Sequence, residues 1–100
     1  MSSDADDEFY DRAREHLQVA HEHMADVPRG QVSASMMYAC ARFNVFVSAA
    51  SKGSPEELRK AYGKTIEYFV AQYRKMLVKN LDDFVANFSE YVKPAADEKG

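Results

Sequence analysis

Apolar side chains recur along this chain at intervals of three and four residues, the spacing that places them on one face of an α-helix. Phe9, Ala13, Leu17, Ala20 and Met24 form the first such stripe, so a helix is expected from Asp6 or Asp7 to about Ala25. Acidic residues at its start complement the positive end of the helix dipole. Pro28 and Gly30 then interrupt the pattern, because Pro28 disfavours helical geometry at Val27 and Gly30 permits a sharp turn. From Gln31 to Ser51 the chain is apolar on two sides. A large face carries Val32, Met36, Cys40, Phe43, Phe46, Val47 and Ala50, and a smaller one carries Ala34, Tyr38, Ala41 and Val45. A helix apolar on two sides must be covered on two sides, so this segment is expected at the centre of a bundle, its alanine-rich face allowing close approach of another helix.

Lys52-Gly53-Ser54-Pro55-Glu56-Glu57 ends that helix and begins the next, with Ser54 as N-cap, Pro55 in the first helical position and Glu57 completing a capping box. The stripe Leu58, Tyr62, Ile66, Phe69, Tyr73, Leu77, Leu81, Phe84, Phe88 and Tyr91 follows, with no further proline until Pro94. Unbroken, such a helix would be about 57 Å long, against roughly 30 Å for each of the other two. The mismatch predicts a bend or break near Asn80, where Asn80 and Asp83 can recap a fourth helix. The alternative is an overhang whose aromatics are buried by a second subunit. The fold class expected is therefore all-α: three long helices, the third bent or broken near Asn80, in a three- or four-helix bundle. Residues 1–5 and 93–100 are expected as tails around one domain spanning 6–92.

Composition narrows the setting. One hundred residues suit a single core, and twelve aromatics with only four glycines and three prolines favour long regular elements over disorder or a turn-rich sandwich. The lone Cys40 excludes an intramolecular disulfide framework, and the acidic N-terminus lacks the basic and apolar regions of a signal peptide, so a cytoplasmic location is expected. No membrane span is expected either, since Arg42 and Asn44 lie in the middle of the most apolar segment, Val32 to Ala50.

Charge is uneven: residues 1–26 carry eight acidic and two basic side chains, and residues 54–80 carry three acidic and six basic ones. The two segments attract each other, which would order helices in a bundle as readily as build a binding surface.

Candidate chemistry is sparse. His16, His21 and His23 lack the Glu-x-x-His or His-Glu-x-x-His spacing of a metal site, and no other histidine can complete one, so neither a metal nor any other cofactor is expected. An activated thiolate needs a nearby positive group or a helix N-terminus; Cys40 sits mid-helix beside Met36, Phe43 and Val47 and reads as a buried structural thiol. Arg59, Lys60, Lys64, Arg74, Lys75 and Lys79 could meet phosphates, but a net charge of −3 and the absence of a groove-reading motif make a solvated helix face the better reading than nucleic-acid binding. Ser35, Tyr38, Arg42 and Asn44 are the most informative polar set. On a buried helix they need partners: an acidic residue beside Arg42 would complete a structural network, whereas an unpaired Arg42 would anchor a pocket for a small anion or carboxylate ligand.

Glu8-Phe9-Tyr10-Asp11-Arg12-Ala13, Arg29 to Ser35, Tyr38 to Asn44, Tyr68-Phe69, Gln72 to Leu77 and Asn80 to Asp83 resemble a small bacterial family catalogued as domain of unknown function 3144. The resemblance spans roughly residues 7–92. It implies a bacterial single-domain protein and brings no activity, substrate or catalytic residue with it. From the residues themselves, the leading expectation is a non-enzymatic module that acts through protein contacts. It would be a homodimer or the partner of another protein, with an interface at Ala34, Ala41 and Val45 on the second helix and at Phe84, Phe88 and Tyr91 at the end of the stripe.

Overall fold

A computed structural model of the chain describes residues 3–92, and of residues 3–6 the backbone alone. The protein is all-α, with no strand among the described residues. The elements are α1 (Ser3–His23), α2 (Arg29–Lys52), α3 (Pro55–Lys60), α4 (Tyr62–Ala86) and α5 (Phe88–Tyr91). They fall into two units, one ending at Val47 and the other beginning at Ser48, a division that lies inside α2. The tail expected from Lys93 onward lies outside the described residues, as do Met1 and Ser2 of the N-terminal one. Helix α1 starts at Ser3, within the segment expected as tail.

In the first unit, α1 tightens into its last turn and stops. Met24 and Ala25 donate to the carbonyls of His21 and Glu22, three residues back, and Val27 donates to His23 at 3.0 Å. Pro28 follows with no amide to offer, and its carbonyl accepts from Gln31 and Val32 to open α2. Val32 sits against this turn and is buried at 6% exposure.

In the second unit the start of α3 follows the sequence closely. Gly53 adopts a left-handed φ of 83°, and its amide donates to Ala49 at 3.0 Å, closing α2. Ser54 Oγ then accepts the Glu57 amide at 3.2 Å, with Pro55 in the first turn of α3. The Glu57 carboxylate accepts from Lys60 Nζ at 3.3 Å, so the structure shows the serine half of the capping box.

The expected break near Asn80 is wrong. Helix α4 runs unbroken through it, and the interruptions fall at Ala61 and Asn87. Asn80 does not recap a helix because its Nδ2 donates to the Met76 carbonyl at 2.7 Å, one turn back, which leaves the backbone ladder intact. At the other end, Asn87 Nδ2 donates to the Asp83 carbonyl at 3.2 Å and to Asp83 Oδ1 at 2.8 Å. The three long helices are thus α1, α2 and α4, and what was expected as one helix from Pro55 is α3, α4 and α5 in succession.

The expectation of a covered α2 also needs correction. Met36, Tyr38, Phe43, Val45, Phe46 and Val47 are all exposed, as are Ile66, Val70, Tyr73, Leu77, Leu81 and Phe84 along α4. The helical spacing put these side chains in register on their helices but says nothing about which surface covers them.

Candidate functional site

The polar set on α2 does not assemble. Ser35 Oγ donates to the Val32 carbonyl at 3.0 Å, and Asn44 Nδ2 donates to Cys40 Sγ at 3.4 Å. Both side chains satisfy themselves within their own helix, a local competition that serine and asparagine commonly win. Tyr38 is 66% exposed, and Arg42 is exposed with no ion pair among the described residues. Tyr38 and Arg42 share a shallow open groove with Ala41, Val45 and Phe46, all on one face of α2. Ser35 and Asn44 are not part of it. Arg42 is therefore neither the buried member of a structural network nor the floor of an enclosed pocket.

Cys40 is exposed, contrary to the expectation of a buried thiol. His16, His21 and His23 lie exposed on α1, and no group of three or more metal-binding side chains comes together among the described residues. The basic residues Arg59, Lys60, Lys64, Arg74, Lys75 and Lys79 are exposed, Lys60 pairing with Glu57. No helix of the described residues is long and apolar enough to cross a membrane.

What the structure does offer is apolar surface in ordered rows. On α2, Ala34, Ala41 and Val45 are exposed along one side, and Phe43 and Phe46 lie 6.0 Å apart on another. On α4 the row Ile66, Val70, Tyr73, Leu77 and Phe84 is about half exposed throughout. Within its own unit, α5 meets the row at Phe84 through Tyr91 and leaves the rest of it exposed, as does α3.

The row ends in a polar clamp that sequence reasoning missed. Asp83 accepts from Asn87 through Oδ1 and from the Tyr91 hydroxyl through Oδ2, the latter at 3.0 Å, and so folds α5 back toward the end of α4. The Phe84 and Tyr91 rings stack at 4.5 Å behind these bonds. The hydrogen bond to Asp83, followed by the carboxylate's negative charge, holds the Tyr91 hydroxyl above its usual pKa. The spacing Asp83-x3-Asn87-x3-Tyr91 was the available signal, since residues four apart are neighbours on a helix. Phe88 remains exposed beside it.

The family described as "Protein of unknown function (DUF3144)" matches residues 9–85 of the chain. No curated protein matches it. No solved structure does either.

Proposed function

The chain belongs to that family of unknown function, and we propose that it is a non-enzymatic helical module that acts through protein contacts as a homodimer. One observation carries this reading: α4 presents an apolar row several turns long that the other helices of its unit leave about half exposed. Burying such a row stabilises by about 25 cal/mol for each Å² of apolar surface removed from water, and a second copy supplies an identical row. In the first unit, Ala34, Ala41 and Val45 of α2 are a separate exposed set of small residues suited to close helix contact, and in the second unit Phe84, Phe88 and Tyr91 belong to the end of the α4 row. In this reading the three- or four-helix bundle is completed between copies. A bacterial cytoplasm belongs to the same reading, because the lone exposed Cys40 suits a reducing compartment.

Sedimentation equilibrium tests the proposal. A dimer at micromolar concentration is expected. A clean monomer at high micromolar concentration overturns it.

A further inference from the structure

The α4 row has a direction as well as a composition. Assigned to heptads, it places Val70, Leu77 and Phe84 at one seam position, a, and Ile66, Tyr73 and Asn80 at the other, d. Glu67 and Arg74 then occupy successive flanking e positions on one side, and Phe69 and Met76 occupy the opposite flank. Both charged side chains are exposed, and no ion pair holds either of them among the described residues.

We infer that a second copy of this chain docks antiparallel on α4, with Glu67 of each copy beside Arg74 of the other and Asn80 of each opposite Gly63 of the other. The inference rests on the homodimer reading and adds its orientation and register.

Three features lead to this arrangement. In an antiparallel pair of helices like flanks meet, so Glu67 and Arg74, one heptad apart, form two equivalent ion pairs across the two-fold axis. In a parallel pair unlike flanks meet, and Glu67 and Arg74 would face only Tyr62, Phe69 and Met76, leaving both charges without a counterpart. The seam closes in the same register. Val70 lies opposite Tyr73, and Leu77 opposite Ile66, over the span from Tyr62 to Leu81.

Gly63 and Asn80 are the second feature. Gly63 is the second residue of α4, in its first turn. Nothing among the described residues requires a glycine here, since a Cβ at Gly63 would meet no described atom within 4 Å. The antiparallel register puts Asn80, the one polar residue of the seam between Ile66 and Phe84, against this position without a side chain. The third feature is at the same level. Ala61 opens α4 without a side-chain cap, and Asn80 spends its Nδ2 on Met76, leaving its Oδ1 to accept from the uncapped first turn of the other copy.

Spin labels and charge reversal test the orientation in the full-length protein. In a Cys40→Ala background, nitroxides are attached singly at Lys75→Cys and Asp82→Cys, both on the outer side of α4. Antiparallel docking centred between Ala71 and Gln72 separates the paired labels along the helix axis by about 10 Å at position 75 and about 32 Å at position 82. The measured distance at 82 is expected to be clearly the longer. Reversing Arg74→Glu or Glu67→Arg turns two attractions into two repulsions, and each is expected to weaken the dimer roughly tenfold, the double reversal restoring it to within about threefold. Equal label distances at the two positions, or a double reversal no tighter than the singles, overturns the antiparallel register while the dimer stands. Absence of any dipolar coupling in a protein that sediments as a monomer overturns the dimer and its orientation together.

Discussion

Asp83 is the residue whose position does most locally, because one carboxylate receives both Asn87 and the Tyr91 hydroxyl. Removing the hydroxyl in Tyr91→Phe keeps the ring stacked on Phe84 but deletes the bond to Oδ2. The expected outcome is loss of helical chemical shifts over Phe88–Tyr91, with the α4 shifts before Asp83 unchanged. The same bond sets a pH dependence. Tyr91 is held above the ordinary tyrosine value of 10.0, so its contribution to the α5 turn is complete below pH 10 and disappears as pH rises through the raised value. A pH titration of the Phe88–Tyr91 amides checks this, and the Tyr91→Phe variant should show no such alkaline transition. Local partnerships of this kind also explain the polar set on α2. Ser35 and Asn44 bond to Val32 and Cys40 in their own helix, so their spacing from Tyr38 and Arg42 made convergence possible without requiring it.

At the scale of the elements, the sequence was most informative where a residue imposes backbone geometry. Pro28, Gly53, Ser54 and Pro55 define the ends of α2 and the beginning of α3 through a missing amide, a left-handed φ and a hydroxyl acceptor. Ser54→Ala should therefore cost about 1 kcal/mol. Hydrogen exchange should show faster opening of the Glu57–Lys60 amides, with the middle of α4 unaffected. The boundary at Ala61 was illegible for the opposite reason. Alanine is a strong helix former, and the nearest departure from helix propensity is Gly63, the second residue of α4. Asn80 misled in the other direction: its position in the apolar stripe suggested a cap, but its bond to Met76 keeps the helix continuous. Helical periodicity told which residues share a face. It could not tell which surface those faces meet, and so the covered α2 was an inference from need, whereas its large side chains are exposed.

For the whole molecule, the proposed dimer would make stability a function of concentration. When association buries the row, only folded chains associate, and mass action ties the folding equilibrium to the amount of protein present. A tenfold rise in concentration adds about 1.4 kcal/mol per dimer to the folded state. For two chains of this length, that corresponds to a rise in Tm of roughly 3 to 6 °C. Thermal scans followed by circular dichroism over a hundredfold dilution series measure it directly, and a Tm that does not move with concentration rules out a dimer coupled to folding. Leu77 offers the complementary perturbation, because it is 45% exposed in the single chain and has little of its own unit's packing to lose. If the row is free in solution, Leu77→Ala changes stability by only a few tenths of a kcal/mol, in favour of the helix, because alanine is the stronger helix former. If a second copy covers it, the substitution removes a buried side chain from each of two equivalent positions, at about 2 to 5 kcal/mol apiece. The resulting shift in the monomer–dimer equilibrium, read by sedimentation at fixed concentration, separates a solvated helix face from an interface by more than a hundredfold in dissociation constant.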